Sequence, residues 1–398
     1  MGGIPGSVLL GYCTNSFPGD SWADVLSHLS TEAIFIGSRT QAGVGIWLSH
    51  RAVTKLIEGA QIEKLRSLLR EKGLQVFSIN GFPFGNFQGP QVKSSVYFPN
   101  WSDPARLGYT LKLIQVAQEL AQDGEDFSIS TLPLGDRWSF NDPRMIARAS
   151  GFLARAVEVL YEVEQRTGVQ IHLSLEPEPL CFLETAVDVV SYFKTSLFPI
   201  AIPFLRERWG MSALQTQEVI LDKVRVCYDT CHAAVLFQEP FEALKIYQIE
   251  GIRIGKVQLS SALVIDCKEG RIESGASVLD VLRPFAEDRY LHQVVGTDLR
   301  GRRVEYCDLS EALAAWEELP PSGQFRVHYH VPIHQSRFGD LGSTQDHLVK
   351  LLKIAETTWV SRYWEVETYT WSVLPSSERC SSVSEGVIRE IEWVRGLL

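Results

Sequence analysis

The chain has 398 residues, of which 45% are hydrophobic and 22% charged, and its formal net charge at pH 7 is −10. This length and composition are those of an ordinary globular protein with enough chain for a large core. A net negative charge opposes broad neutralisation of phosphates, so we expect no nucleic-acid partner.

The seven cysteines are scattered singly between Cys13 and Cys380. An odd number of isolated thiols, several of them within apolar runs, predicts reduced cysteines and a cytoplasmic protein. Residues 1–7 lack the charged and apolar regions of a signal peptide, and no stretch reaches the ~18 apolar residues of a membrane span. We therefore expect no stable insertion into a membrane.

Hydrophobic periodicity predicts strands that alternate with helices along nearly the whole chain. The pattern starts with a strand at 8–13, a helix at 22–29, a second strand at either 33–36 or 44–48, a helix at 62–72 and a strand at 74–79. It continues with a helix at 105–122, a strand at 127–131, a helix at 143–167, a strand at 169–175, a helix at 185–195 and a strand at 224–229. The last part has a helix at 241–250, a strand at 255–259, a helix at 309–319, a strand at 325–331, a helix at 343–359 and a strand at 362–367.

This alternation predicts an α/β protein, a single (β/α)8 TIM barrel over residues 1–398. Nine strand candidates compete for eight places, and the extra one is either 325–331 or one of the two alternatives near 33–48. Residues 81–103 and 260–308 are predicted loop insertions, of a length typical of lids or substrate walls. Residues 383–398 are predicted to form a capping helix.

Polar side chains follow several of the predicted strands. The strand at 224–229 ends in Asp229 and leads to His232, and other strand ends supply further carboxylate, amide and imidazole groups. Because the carboxyl ends of parallel strands meet at one face of a barrel, we expect a shared site. Such groups bind divalent ions, so we expect one or two ions of zinc, manganese or iron. The candidate metal ligands are Glu176, Asp229, His232, Gln258, His328, His330 and Glu367.

Glu176 and Glu367 are also the candidate catalytic pair. Two glutamates beside an ion that polarises a carbonyl can take and return a proton at the adjacent carbon. The candidate substrate-binding residues are Asn15, Asn80, Thr131, Glu178 and Arg337. The amide and hydroxyl groups suit a polyol or sugar, whereas the guanidinium suits a phosphate or carboxylate.

Each candidate also has a purely structural interpretation. Gln258 can satisfy buried backbone groups, and Arg337 can be a solvated surface cation. His328 and His330 lie on one face of a predicted strand, which suits metal ligands and also suits a hydrogen-bonded polar face. Asp229 favours function most clearly, because a strand-terminal carboxylate has no obvious partner other than a metal ion or an arginine.

Several motifs together resemble a known family. Residues 227–233, Cys-Tyr-Asp-Thr-Cys-His-Ala, resemble the Asp-Thr-Cys-His segment of the xylose-isomerase-like barrels, which include sugar isomerases, epimerases and endonuclease-IV-type enzymes. The chain is more closely similar to the EboE-type metabolite traffic proteins, which are sugar-phosphate-isomerase-like barrels. The segments that carry this resemblance are 80–85, 128–133, 175–179, 257–262, 328–332 and 367–371.

The resemblance implies a xylose-isomerase-like barrel from a bacterial operon that processes or moves a secondary metabolite. Glu176 and Glu367 fall where the superfamily has its strand-end glutamates, whereas Gln258 stands where it often has a histidine. The implied partners are a small metabolite, such as a sugar or sugar phosphate, and other proteins of the operon.

The predicted function is therefore a metal-dependent sugar or sugar phosphate isomerase, or an epimerase-like protein. The first alternative is a non-catalytic barrel that binds a metabolite or assists its export. The second alternative is an endonuclease-IV-like DNA repair enzyme. It is disfavoured because the early strand ends carry asparagine and threonine instead of histidine, and because the chain is acidic.

Overall fold

The computed structural model describes residues 8–121 and 126–398. The segment 1–7, in which we expected no signal peptide, lies outside the described residues, as does Gln122 at the end of a predicted helix. The strands of the described part are β1 Leu9–Cys13, β2 Gly43–Trp47, β3 Val76–Asn80, β4 Asp126–Thr131, β5 Gln170–Leu175, β6 Val224–Asp229, β7 Ile254–Leu259, β8 Ser261–Cys267, β9 Val294–Asp298, β10 Arg303–Tyr306, β11 Gly323–Val331, β12 Arg337–Phe338, β13 Leu341–Ser343 and β14 Tyr363–Val366.

Helices connect these strands, and many begin at a side chain that caps them. Ser21, Thr185 and Ser212 each form a capping box with the third residue of the helix that follows. The α-helices are α1 Trp22–Ser30, α2 Glu32–Thr40, α3 His50–Leu56, α4 Gln61–Lys72, α5 Pro104–Leu120, α6 Pro143–Thr167, α7 Ala186–Tyr192, α8 Phe198–Trp209, α9 Ala213–Lys223, α10 Thr230–Val235, α11 Pro240–Ile249, α12 Val278–Leu282, α13 Leu309–Glu318, α14 Gln345–Ala355 and α15 Val383–Arg395.

Eight parallel strands close into a barrel in the order β1-β14-β7-β6-β5-β4-β3-β2. This confirms the predicted (β/α)8 fold. The strands are buried on both faces, as is expected of a parallel sheet covered by helices. In the register of β6 and β7, Asp229 is paired with Gln258, so the two side chains emerge at the same end of the barrel.

A second sheet is inserted between β7 and α14. Its six strands are antiparallel and lie in the order β10-β9-β11-β8-β13-β12. The predicted loop insertion at 260–308 thus contains strands and helix α12, and the sheet that it begins continues to Ser343.

The inserted sheet has its own hydrophobic core, and β11 separates that core from the barrel end. Phe325, Val327, Tyr329 and Val331 are buried in the core, together with Trp316. Because successive side chains of a strand point to opposite faces, the histidines between them face the other way. The pairing of β11 with β8 shifts register between Val327 and Val331, which is where these histidines lie.

The structure resolves both ambiguities among the predicted strands. The segment 325–331 is a strand of the inserted sheet, paired with β8 and β9 instead of with barrel strands. Residues 33–36 belong to helix α2, in which Ala33 and Ile36 bury one helical face, and the barrel strand is the other alternative. Helices α8 and α9 were missed, and in α8 the reason is that Pro199 and Pro203 interrupt the helical pattern.

Three further features of the sequence can be compared with the structure. The predicted capping helix at 383–398 runs from Val383 to Arg395. All seven cysteines are free. Within residues 8–121 and 126–398, every helix is either too short or too polar to cross a bilayer.

Candidate metal centre

The carboxyl ends of β5, β6 and β14 bring three carboxylates together. Asp229 is the last residue of β6, and Glu176 and Glu367 directly follow β5 and β14. One oxygen of each lies within 4.8 Å of the others, and all three side chains are buried. We call Glu176, Asp229 and Glu367 the carboxylate cluster.

Gln258 lies between the members of this cluster. Its Nε2 donates to Glu176 Oε1 at 2.9 Å and to Asp229 Oδ2 at 3.4 Å, and it also contacts Glu367 Oε2. A carboxylate oxygen accepts hydrogen bonds, so these partners identify which end of the amide is nitrogen. The oxygen of Gln258 is buried and accepts no hydrogen bond from the described residues.

Burial and mutual repulsion perturb the carboxyl groups. Burial, with a contribution from Asp229, raises the pKa of Glu367 to about 8. The pKa of Glu176 is also raised, by burial and by the charges of Glu367 and Asp229. Burial alone would raise the pKa of Asp229, but His232 and His330 hold it below its usual value. The raised pKa values of the two glutamates show that the three carboxyl groups resist carrying negative charge together in this buried space.

Asp229 has a structural task in addition to its place in the cluster. Its Oδ1 accepts the backbone N–H groups of Cys231 at 2.7 Å and His232 at 3.0 Å, and the hydroxyl of Ser260 at 2.6 Å. It is therefore the N-cap of helix α10, whereas Oδ2 faces Gln258.

Three histidines meet beside the carboxylate cluster. His232 comes from helix α10, and His328 and His330 come from strand β11 of the inserted sheet. His328 Nε2 lies 3.1 Å from His232 Nε2 and 3.1 Å from His330 Nε2. We call these residues the histidine cluster. Burial lowers the pKa of His328 well below 6.5 and that of His330 to about 4.

A cavity of about 480 Å3, including open space at its mouth, lies above the two clusters. Its lining is polar on one side, where it carries every member of the two clusters except Asp229, together with Asn15, Asn80 and Glu178. Its roof is largely aromatic. Phe87, Tyr290 and Tyr369 contact one another there, with ring centroids 4.8 to 5.1 Å apart.

The predicted substrate-binding residues fall into two groups. Asn15 and Asn80 line the cavity and donate to Glu367 Oε1, at 2.6 and 3.0 Å. Glu178 also lines it. Thr131 is buried outside the lining, where its hydroxyl accepts from Trp101. The structure does not bring Arg337 to the site, because its side chain is exposed on β12 and bonds to the Asp340 carbonyl.

Sequence reasoning missed Tyr97 and Gln293. Tyr97 donates to Glu178 Oε1 at 2.6 Å, and Gln293 Nε2 donates to the same oxygen at 3.1 Å. Tyr97 lies in the predicted loop insertion at 81–103, and Gln293 lies in the one at 260–308. The length of those insertions was the one sequence signal that pointed to walls of a site.

Comparison with known proteins gives solved structures but no sequence match. No sequence-family model and no curated protein matches the chain. A xylose isomerase-like TIM-barrel protein from Mycobacterium smegmatis, solved in complex with magnesium, has a TM-score of 0.52 at 11% identity. The match covers 98% of this chain and 96% of that chain. This chain has the xylose isomerase-like barrel fold.

Two further structures are more distant. The IOLI protein with a bound zinc atom has a TM-score of 0.48 at 11% identity, with 97% of this chain and 96% of that chain covered. An L-ribulose 3-epimerase has a TM-score of 0.39 at 15% identity, with 71% and 79% covered. The resemblance to EboE-type proteins stays a prediction.

Proposed function

We propose that this barrel is a metal-dependent isomerase or epimerase that acts on a small hydroxylated or carbonyl compound. The observation that carries the proposal is a set of buried oxygens that accept no hydrogen bond from the described residues. They belong to Asn15, Glu176, Glu178 and Gln258. A buried acceptor without a partner is costly, and a divalent cation or a hydroxylated ligand supplies what these oxygens lack.

The donor set fits a divalent cation. Carboxylate oxygens such as those of Glu176, Asp229 and Glu367 are ligands that magnesium and manganese prefer. The negative charge of the cluster and its burial both favour such an ion. A divalent ion held there polarises a bound carbonyl or hydroxyl group and stabilises negative charge on the neighbouring atoms.

Each of the two glutamates is assigned one step of the proton transfer. Glu176 Oε2 has no partner, so it is free to accept a proton from a substrate carbon. Glu367 contacts Gln258 through Oε2, and Asn15 and Asn80 hold its Oε1, which orients it to return the proton. Phe87, Tyr290 and Tyr369 line the same cavity and supply an apolar wall beside the two glutamates.

The cavity favours an uncharged substrate over a sugar phosphate. Among the residues that line it, Lys93 is the one lysine or arginine. Its ammonium group is bound to Asp308 at 2.6 Å and to the Glu287 carbonyl at 2.9 Å, so it is not free to hold a phosphate. We therefore propose an uncharged sugar or another polyhydroxy compound that carries a carbonyl group, and we propose for the protein the metabolite-processing role that the EboE-type resemblance implies.

The proposal predicts exchange of a substrate C–H proton with solvent. Protein loaded with manganese or magnesium is incubated in D2O with a panel of uncharged ketoses and aldoses, and deuterium uptake is measured by mass spectrometry. We expect exchange in the parent and at least a 100-fold loss in Glu176→Gln, because acid–base groups contribute about 10²–10⁴-fold. Glu242→Gln, which changes an exposed glutamate on α11, is the matched control and should exchange like the parent.

Metal content gives an independent readout. Asp229→Asn should lower bound metal strongly and leave the fold intact, because asparagine also caps a helix. Elemental mass spectrometry measures the metal, and circular dichroism the fold. Metal content equal in the parent and in Asp229→Asn would contradict the shared carboxylate site.

A second candidate function is a non-catalytic metabolite-binding barrel. The observation that favours it is the amide of Gln258, whose Nε2 donates to all three carboxylates and so lies between them. This alternative predicts that a compound from the panel binds, detected by a shift in melting temperature, without any deuterium uptake.

A further inference from the structure

The groups assigned to the proton transfer are almost inaccessible to solvent. Glu176 is 2% exposed and Glu367 3%, and Gln258 between them is fully buried. A base has to lie within about 3–3.5 Å of the atom that it deprotonates, so a substrate must displace part of the cavity wall. The cavity is therefore closed in this structure, and one segment of its wall has to move before a substrate can enter.

Most of the wall is held by regular structure. The two glutamates directly follow barrel strands, and the histidine cluster belongs to α10 and β11. Tyr290 and Leu291 lie just before strand β9. His292, which follows them, donates from its backbone to Asp308 Oδ1 at 3.0 Å and from Nδ1 to the His328 carbonyl at 2.9 Å. This side of the cavity is thus fixed to the inserted sheet.

The remaining side is formed by residues 85–96 of the first insertion, which we call the cover. The cover is irregular apart from a 3-10 turn that begins at Lys93. Four of its side chains line the cavity, those of Phe87, Val92, Lys93 and Val96. Its hydrogen bonds to the rest of the described chain are concentrated in Gln88, Val92 and Lys93. Few contacts therefore have to break for the cover to move.

Both ends of the cover are anchored to the barrel. Before it, the Phe84 carbonyl accepts the backbone N–H of His50 at 2.8 Å, and the rings of these two residues stack with centroids 4.6 Å apart. After it, Tyr97 is buried and donates to Glu178 Oε1 at 2.6 Å. A movement of the cover between these two points leaves the fold on either side unchanged.

Lys93 holds the cover against the second insertion. Its Nζ lies 2.6 Å from Asp308 Oδ2 and donates to the Glu287 carbonyl at 2.9 Å. The backbone N–H groups of Val92 and Lys93 both donate to the Arg289 carbonyl, at 2.7 and 2.9 Å. Lys93 has a φ of 41°, in the left-handed region that disfavours residues with a side chain. Contacts between the two insertions, and not the local preference of the chain, thus keep the cover closed.

We propose that the cover opens to admit the substrate, and that the ion pair of Lys93 with Asp308 is the contact that keeps it closed. This inference rests on the proposed function, because it takes the closed cavity to be the substrate site. The ion pair is only partly buried, with 23% of the Lys93 side chain and 11% of the Asp308 side chain exposed. Water can replace the lost partners when the pair separates, so opening is less costly than breaking a fully buried pair.

Hydrogen exchange of the metal-free chain tests the ion pair. The parent is compared with Lys93→Met, which keeps a long side chain and removes its charge. Exchange in residues 85–96 should become at least roughly tenfold faster, because a charge-assisted hydrogen bond is lost. Exchange in β6 and β14 should stay the same. Lys350→Met removes a half-exposed lysine of α14 that pairs with Glu239 at 3.2 Å, and this control should exchange like the parent.

Entry and exit of manganese(II) test whether the cover is a gate. Binding after rapid mixing, and release to an excess of EDTA, are followed by the electron paramagnetic resonance signal of the free ion. Lys93 and Asp308 lie outside the carboxylate cluster, so Lys93→Met should raise both rates by the same factor and leave the dissociation constant unchanged. Rates equal to those of the parent would overturn the proposal, as would a change in one rate alone.

The gate and the proposed function fail in different ways. A parent that binds no manganese contradicts the metal of the proposed function, and hydrogen exchange alone then decides on the cover. Exchange in residues 85–96 that is as slow in Lys93→Met as in the parent overturns the role of the ion pair. If circular dichroism shows that Lys93→Met does not fold, Asp308→Asn replaces it with the same expected results, because asparagine still caps helix α13.

Discussion

Lys256 and Glu365 form an ion pair inside the barrel, beneath the carboxylate cluster. The Nζ to Oε2 distance is 3.1 Å and both side chains are fully buried. Ser130 accepts from Lys256 at 3.1 Å, and Ser78 donates to Glu365. The positive charge also lowers the pKa values of Glu176 and Glu367, against the larger effect of burial. A buried cation here thus moderates the repulsion of the site above it.

Removing one partner of this pair should be costly. We expect Lys256→Met to lower the free energy of unfolding by about 3–5 kcal/mol, because Glu365 is left as an uncompensated buried charge. The double variant Lys256→Met/Glu365→Gln should recover much of the loss. Urea unfolding measures both, and a single variant as stable as the parent would show that the pair does not carry buried charge.

At the scale of elements, Glu390 connects helix α15 to the end of the barrel that carries the carboxylate cluster. This buried carboxyl accepts the backbone N–H of Ile333 at 3.0 Å and the hydroxyl of Thr368 at 2.6 Å. Thr368 directly follows Glu367, so the helix supports the segment that presents one of the catalytic candidates. Burial raises the pKa of Glu390 to about 8, against the smaller effect of these hydrogen bonds.

This shift predicts a pH dependence of stability. A carboxyl group whose pKa is raised in the folded state stabilises that state at low pH. The contribution is complete below the ordinary pKa near 4.5 and is lost as pH rises through about 8. The parent should therefore lose stability relative to Glu390→Gln between pH 5 and 9, by on the order of a few kcal/mol. Glu392→Gln on the exposed side of the same helix is the control. Parallel stability curves for the parent and Glu390→Gln would disprove the assignment.

At the scale of the whole molecule, the two sheets meet at the histidine cluster. If the ion of the metal centre also contacts His328 or His330, it bridges the barrel and the inserted sheet, and chelation should destabilise both sides of that contact. We expect zinc at about 100 times its dissociation constant to contribute roughly 2.7 kcal/mol to folding stability. Hydrogen exchange locates the effect, and EDTA should speed exchange in β11 and α10. His328→Asn should show no such change in β11. Equal exchange in β11 with and without EDTA would contradict the bridge.

Much of the barrel follows from local pattern, because a strand or helix records in its own periodicity which face it buries. The alternation of elements indicated eight parallel strands, and the polar residues after strands 169–175 and 224–229 indicated ligands at one end. The pattern could not rank 33–36 against 44–48, since short apolar runs suit either element. It missed α8 because the prolines there are accommodated within a helix.

The sequence by itself determined the fold class and the residues of the carboxylate cluster, since strand-end side chains of a parallel barrel converge whatever the loops do. Only the tertiary structure decided that β11 leaves the barrel for the inserted sheet and turns His328 and His330 toward His232. It also decided that Arg337 faces solvent and that Tyr97 and Gln293 hold Glu178. These placements depend on pairing between distant strands, which is selected by long-range burial and hydrogen bonding and leaves no local periodicity to read.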